Sequence, residues 1–169
     1  MSTILLPFDG SASSRHGVQH VIDVSRKDPD LHVHVLNVQP PLPGHVASHI
    51  GHQACEDFHR EQAVPVLAGA SRSLDAAGVR HAVHWEVGDR AARIAEAARR
   101  FRCDRIVIGT SRKSLLVRLV EGSVVNRVIT LTPVPVELIA GDTPSRLERF
   151  GIPAGIGTGL TALWVATAD

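Results

Sequence analysis

Short apolar runs alternate along the chain with segments in which apolar residues recur every three or four positions, and this alternation strongly restricts the possible folds. The runs at Thr3–Phe8 and Arg105–Ile108 are apolar almost throughout, which is typical of strands buried on both faces of a sheet. Between the runs, Val18, Val21 and Ile22 have the spacing of one helix face. Parallel strands are joined by crossover helices, so the pattern predicts a doubly wound α/β fold in the order βαβαβαβαβ.

Turn and capping residues predict where these elements begin and end. Strands are predicted at Thr3–Phe8, Leu31–Val38, His81–Val87, Arg105–Ile108 and Val134–Ile139. Helices are predicted to begin at Ser11 or Ser13, to cover Ala54–Ala77 and Arg90–Phe101, and to run from Gly122-Ser123 through Ile129. Because Pro135 lacks the N–H that a central strand needs, we expect the fifth strand to lie at the edge of the sheet. It is therefore a candidate for pairing with a second subunit.

Composition indicates a globular protein without a nucleic-acid partner. The chain has 169 residues, of which 44% are apolar and 21% charged, as in a single domain with a real core. A net charge of +1 and 4% aromatic residues do not indicate nucleic-acid binding. Cys55 and Cys103 form no C-x-x-C pair and the N-terminus lacks the features of a signal peptide, so we expect a cytoplasmic protein.

The C-terminal part differs in character from the rest of the chain. We expect one α/β domain over residues 1–140, followed by a linker and an apolar extension over residues 141–169. No charge occurs between Phe150 and Ala168, but Pro153, four glycines and three threonines dilute the hydrophobicity. We therefore expect the extension to dock on the body or on a partner subunit, with a membrane anchor as the alternative.

Candidate binding residues follow the carboxyl ends of strands one, two and four, where open parallel sheets bind their ligands. The Asp9 carboxylate can accept hydrogen bonds from ribose hydroxyls or a base amine, or can cap the helix that follows. The backbone of Val38 can meet a base edge, or can simply end a strand. Gly109 and Gly122-Ser123 permit close approach of phosphate oxygens to backbone N–H groups, or are ordinary glycine turns.

Five stretches of the sequence, taken in order, resemble the universal stress proteins. They are Leu5-Leu6-Pro7-Phe8-Asp9-Gly10-Ser11, Val35-Leu36-Asn37-Val38, Gly88-Asp89, Ile106-Val107-Ile108-Gly109-Thr110 and Gly122-Ser123-Val124. The resemblance covers about residues 3–140. It implies a five-stranded parallel sheet in the order 3-2-1-4-5 with helices on both faces, a homodimer and, in one branch of the family, an ATP-binding pocket.

In that branch a Gly-x2-Gly-x9-Gly-Ser/Thr loop follows the fourth strand. Gly109, Gly122 and Ser123 match the loop, whereas Arg112 stands in place of its second glycine. Arginine there would either strain the turn and compete with phosphate for space or add a charge-assisted contact to a phosphate. The resemblance implies that the adenine and ribose are framed by Pro7, Asp9 and Val38. It further implies that the phosphates are held by Ile108, Gly109, Thr110, Gly122, Ser123 and Val124.

Motifs for fast chemistry are absent from the sequence. It contains neither a G-x-x-x-x-G-K-[ST] loop nor a G-x-S-x-G elbow, and we predict no catalytic residue. The expected function is a stress-response protein that binds ATP, with Mg²⁺ as a candidate companion ion, in a regulatory role with at most weak hydrolysis. The alternative is a nucleotide-free dimeric scaffold whose pocket Arg112 has altered.

Histidines are crowded into one segment of the chain. His45, His49, His52 and His59 fall near one face at helical spacing, and imidazoles four residues apart can share a metal ion. The neighbouring Gly44 and Gly51 weaken the helix that would align them. We therefore expect no specific metal site and keep the four histidines as its only candidates.

Overall fold

The computed structural model describes residues 2–110 and 124–140. Its strands are β1 (Thr3–Pro7), β2 (His32–Gln39), β3 (Arg80–Val87), β4 (Arg105–Thr110) and β5 (Val136–Ala140). Its helices are α1 (Ala12–Ser25), α2 (Gly44–Ala76), α3 (Arg90–Arg100) and α4 (Val124–Leu131). The described elements therefore follow one another in the predicted order.

The five strands form one parallel sheet in the order β3-β2-β1-β4-β5. The central strand β1 is paired with β2 from Thr3↔His32 to Pro7↔Leu36 and with β4 at Ile4↔Arg105 and Leu5↔Ile106. The doubly wound fold and the strand order are thus confirmed, and β5 lies at an edge of the sheet as predicted.

Two hydrophobic cores cover the two faces of the sheet. On one face, Leu6, Val33 and Val35 pack with α1 and α2 in a cluster that includes Val21 and Leu74. On the other face the strands pack with α3 and α4 through Leu5, Leu36, Ile106, Ile94 and Val128. Adjacent residues of β1 serve opposite cores because side chains alternate along a strand, which explains its continuous apolar run.

The second helix is longer than predicted. It begins at Gly44 rather than at Ala54, and the glycine that separates its two parts, Gly51, has a φ of 77° and a ψ of 164°. Glycine adopts that left-handed φ without steric cost, so helical turns form on both sides of a break. Pro65 lies inside the second part without ending it, because Leu67 and Leu74 on the same helix are buried in the core.

The last strand begins at Val136, two residues later than predicted, and ends at Ala140. Four residues, 132–135, connect α4 to this strand, and the Val134 amide donates to the Thr132 hydroxyl at 3.2 Å. Within residues 2–110 and 124–140, no helix is long and apolar enough to span a membrane. The predicted linker and extension over 141–169 lie outside the described residues.

Candidate functional site

The carboxyl ends of β1 and β4 border a crevice from which the chain departs in two directions. After β1 it enters α1, which packs on the same face as α2, whereas α4, following β4, packs through Val128 on the opposite face. The strand order also reverses between β1 and β4. In doubly wound sheets, a crevice at this point is where ligands bind.

Asp9 lies two residues beyond the end of β1 with an exposed side chain. Its Oδ1 accepts a hydrogen bond from the Ser11 amide at 3.0 Å. Partial burial favours a higher pKa for this carboxyl, but hydrogen bonds from Ser11 and Ser14 outweigh it and hold the pKa below its usual value of 3.8. The cap of α1 is Ser11, whose hydroxyl accepts from the Ser14 amide at 3.1 Å. Asp9 is therefore an ionised acceptor at neutral pH and is not the helix cap.

The backbone of Val38 points into the space that β1 leaves when it ends. The Leu36 carbonyl accepts from the Phe8 amide at 2.8 Å on the β1 side, and the Gln39 carbonyl accepts from the Gly88 amide at 2.9 Å on the β3 side. Successive residues of a strand direct their N–H and C=O groups to opposite sides, so those of Val38 face the β1 side. Pairing with β1 stops at Pro7↔Leu36. The Val38 amide and carbonyl are therefore placed to form hydrogen bonds with the edge of a planar ligand that carries one donor and one acceptor.

Gly109 is required by packing between β4 and α1. A Cβ built on Gly109 would lie 1.9 Å from the Ser13 carbonyl oxygen and 3.0 Å from the Ser14 Cα. Gly17 faces it from α1, where a Cβ would lie 3.3 Å from the Gly109 amide nitrogen. The sequence suggested phosphate approach or an ordinary turn as the reason for this glycine. The described structure adds a third reason, which is close contact between helix and strand.

The remaining candidate residues are distributed along the same edge of the sheet. Pro7 ends β1 and is half-buried, while Thr110 ends β4 and is buried. Ile108 lies in β4 and packs against the core that contains α3 and α4. Val124 is the first residue of α4 and is exposed. Three further candidates lie outside the described residues, namely Arg112, Gly122 and Ser123.

An ion pair that the sequence did not predict fixes the start of α4 at this edge. The Asp89 carboxylate caps α3 by accepting from the Ala92 amide at 3.0 Å. It also accepts two hydrogen bonds from the Arg127 guanidinium, at 2.7 and 3.0 Å. The hydrogen bonds from Arg127, followed by the one from Ala92, lower the pKa of Asp89. The first turns of α3 and α4 therefore lie side by side, beyond the carboxyl ends of the strands that precede them.

Asn37 is a second residue whose role the sequence did not predict. It is buried, and its Nδ2 donates to the Phe8 carbonyl at 2.8 Å, which fixes the backbone immediately before Asp9. Its signal in the sequence is an amide side chain within the apolar run Val35-Leu36-Asn37-Val38.

The crowded histidines do not converge. The break at Gly51 separates His45 and His49 from the two that follow it, and a ring nitrogen of His49 is within hydrogen-bond distance of the His45 carbonyl. His59 is buried and bonded to Gln39. Over the described part of the chain, no group of three or more His, Cys, Asp or Glu side chains is arranged to hold a metal ion.

Fold and crevice together define a doubly wound α/β protein with polar groups gathered at the point where strand order reverses. A model of the universal stress protein family matches residues 1–139. Universal stress protein MJ0531 of Methanocaldococcus jannaschii is 29% identical over 144 residues, and the match covers 80% of each chain. The chain belongs to the universal stress protein family.

Solved structures share the fold. A family protein from Burkholderia pseudomallei is 25% identical with a TM-score of 0.62, over 82% of this chain and 95% of that one. A family protein from Arabidopsis thaliana with AMP bound is 15% identical with a TM-score of 0.63, over 85% and 94%. The universal stress protein from Archaeoglobus fulgidus in complex with dAMP is 20% identical with a TM-score of 0.60, over 82% and 97%. Adenine nucleotides are thus bound by proteins that share this fold.

Proposed function

We propose that this protein binds ATP in the crevice between β1 and β4 and acts as a nucleotide-dependent regulator in a stress response. The observation that carries the proposal is the pairing of an ionised Asp9 with the outward-facing backbone of Val38 at the point where strand order reverses. The Asp9 carboxylate supplies acceptors for ribose hydroxyls, and the Val38 backbone supplies one donor and one acceptor for the edge of adenine.

The relatives support an adenine nucleotide as the class of ligand. AMP and dAMP are bound by two proteins of this fold, from Arabidopsis thaliana and Archaeoglobus fulgidus. The candidate phosphate contacts come from Ile108, Gly109 and Thr110 at the end of β4 and from Val124 at the start of α4. They are completed by Arg112, Gly122 and Ser123, and we propose Mg²⁺ as the companion of the triphosphate.

A regulatory role fits the chemistry of Asp9. Its carboxylate is engaged by Ser11, and its lowered pKa makes it a weak proton acceptor. A general base works best when its pKa is near the working pH, so Asp9 is poorly suited to activate water. We therefore propose slow turnover or none, and a bound nucleotide that acts as a signal.

Calorimetric titration of the full chain with MgATP tests the proposal. We expect saturable binding that weakens about 10- to 100-fold in Asp9→Ala, because a hydrogen bond to a charged group contributes about 1.5–3 kcal/mol. Asp9→Asn retains an acceptor for the Ser11 amide, so it separates the effect of losing the charge from the effect of losing the hydrogen bond between Ser11 and residue 9. Asp57→Ala, an exposed aspartate on α2, is the matched control and should bind as the natural chain does.

The role of Arg112 is decided in the same titration. Binding by the natural chain and weaker binding by Arg112→Gly would show that the arginine contacts phosphate. Binding that first appears in Arg112→Gly would overturn the proposal in favour of the nucleotide-free scaffold. Unchanged affinity in Asp9→Ala would show that the nucleotide, if bound, is held elsewhere.

We further propose that two copies pair through the edge strand β5 and that the protein works in the cytoplasm. The outer side of β5 is unpaired within the described sheet, as the side of a strand open to a second subunit must be. Both cysteines are free thiols, which agrees with a reducing compartment.

A further inference from the structure

A cavity of about 470 Å³ lies under α2, on the opposite side of β2 from the core that contains α3 and α4. Pro41 and Leu42 line it from the loop after β2, and Trp85 and Val87 line it from β3. Cys55 and His59 face it from α2. Its volume is within the range of small-molecule sites, and none of its lining residues belongs to the candidate nucleotide site.

A chain of side-chain hydrogen bonds fixes the orientation of the Gln39 amide beside this cavity. Asn37 donates through Nδ2 to the Phe8 carbonyl, so its Oδ1 is the atom that accepts from Gln39 Nε2 at 3.2 Å. The same Nε2 donates to the His59 carbonyl at 3.1 Å. Both partners of Nε2 are oxygens that only accept, so the amide cannot be reversed and its Oε1 faces the His59 ring.

The amide in turn fixes the tautomer of His59. Its Nδ1 lies 2.9 Å from Gln39 Oε1, which can only accept, so Nδ1 carries the hydrogen. In the neutral imidazole the other nitrogen, Nε2, then has a lone pair. His59 Nε2 takes part in no hydrogen bond within residues 2–110 and 124–140, and it is not among the fully buried unpaired atoms, so it opens onto the cavity that His59 lines. An acceptor that has no protein donor and opens onto a largely apolar cavity is available to a ligand that supplies one.

The other walls restrict what that ligand can be. Trp85, Val87 and Leu42 offer aromatic and aliphatic surface, and the Glu56 carboxylate at the lining disfavours an anion. A histidine held through Nδ1 with a free Nε2 is also the usual state of a metal ligand. However, no metal-binding group of three or more donors occurs in the part of the chain that the structure describes. An organic donor fits these observations better than a metal ion does.

We propose that this cavity binds a small, uncharged and largely apolar molecule of the phenol or indole class, whose hydroxyl or N–H group donates to His59 Nε2. Such a ligand packs its ring against Trp85 and its donor completes the chain of hydrogen bonds that begins at Phe8. The cavity is separate from the nucleotide crevice, so either site can be occupied while the other is empty.

Titration of the full chain with 4-propylphenol and with its methyl ether, 4-propylanisole, tests this proposal by calorimetry. The two probes differ in the donor, so we expect the ether to bind about five- to tenfold more weakly to the natural chain. In His59→Phe we expect the two probes to bind equally. His49→Phe on the same helix is the matched control and should preserve the difference.

A second variant keeps the test decisive if His59→Phe folds poorly. Cys55→Phe fills the cavity from α2 without replacing any member of the hydrogen-bonded chain, and it should abolish binding of both probes, whereas Gln53→Phe, at an exposed position of α2, should not. Absence of phenol binding to the natural chain, equal affinity for phenol and ether, or full binding by Cys55→Phe would each overturn the proposal. Displacement of the phenol by MgATP would also overturn it, because the cavity would then belong to the nucleotide site. Phenol binding in a chain that fails to bind MgATP would leave it standing.

Discussion

At the scale of single residues, a ring cluster on the β2–β3 part of the sheet has an acid–base property that the sequence did not indicate. His34 Nδ1 lies 3.0 Å from His84 Nε2, and both rings stack on Phe101 with centroids 4.3 Å away. His32 meets His34 edge-on at 4.7 Å. The other charged groups that act on this cluster are Arg100 and Glu86, which pair with each other. Alternation along β2 places His32 and His34 on one face, but only the sheet brings His84 and Phe101 to them.

This cluster predicts a loss of stability in mild acid. Burial, followed by the charges of His32 and His84, lowers the pKa of His34 from 6.5 to about 4. The unfolded chain therefore takes up a proton at His34 near pH 6.5, whereas the folded chain does so only near pH 4. The stabilising contribution is complete above pH 6.5 and is lost as the pH falls from 6.5 to 4.

Urea unfolding at several pH values measures the effect. We expect the free energy of unfolding to fall less steeply between pH 6.5 and pH 4 in His34→Gln than in the natural chain, because one group with a lowered pKa is removed. His49→Gln, outside the cluster, is the control. Identical slopes for His34→Gln and the natural chain over this range would contradict the assignment.

At the scale of elements, the contact between α1 and β4 depends on the two glycines that face each other there. Gly109→Ala places a methyl group 1.9 Å from the Ser13 carbonyl oxygen, and the nearest atoms are all backbone of Ser13 and Ser14, which cannot rotate away as a side chain can. Overpacking of this kind costs about 1–3 kcal/mol or more, so we expect a large drop in the free energy of unfolding. Gly69→Ala on α2 meets no atom within 4 Å and should raise that free energy by about 0.5–1 kcal/mol. Equal effects of the two substitutions in urea unfolding would contradict this account.

Element type was predictable from the sequence where local signals agree, and element length was not. The cap Ser11 lies where the sequence predicts it, Gly78, whose φ is 69°, directly follows the predicted end of the second helix, and the cap Asp89 directly precedes the predicted start of the third. Gly51 and Pro65 are both helix-breaking residues, but only Gly51 interrupts α2, which continues through Pro65. Burial of Leu67 and Leu74 against the sheet outweighs the cost of Pro65, and that burial is known only from the packed structure.

At the scale of the whole molecule, the alternation of strands and helices predicted the doubly wound class, and the resemblance to the universal stress proteins supplied the order of the strands. Placement of Asp9 and Val38 at one edge follows directly from that order. Contacts between residues that are distant in the sequence could not be predicted from the strand order. The hydrogen bonds from Arg127 to Asp89 and from His59 to Gln39 are examples. Each depends on how two helices or a helix and a strand come together, which no local pattern encodes.

The proposed dimer is a property of the whole molecule that backbone direction makes testable. The Ile106 amide donates to the Pro135 carbonyl at 2.8 Å, and Ile106 is paired with Val136. The backbone groups of residues 135, 137 and 139 thus face β4, whereas those of Val136 and Leu138 face outward. Leu138→Pro removes an outward N–H without removing a bond to β4. We therefore expect this variant to be monomeric in sedimentation velocity, with the circular dichroism spectrum of the natural chain.

The opposite edge of the sheet supplies the matched control. The Gly88 amide donates to Gln39 toward β2, so alternation makes the exposed Val83 of β3 an outward-facing residue as well. Val83→Pro thus makes the same chemical change at the other edge and should leave the dimer intact, because the proposed pairing uses β5 alone. A natural chain that sediments as a monomer, or a Leu138→Pro chain that stays dimeric, would contradict pairing through β5. Dissociation by Val83→Pro but not by Leu138→Pro would instead move the interface to β3.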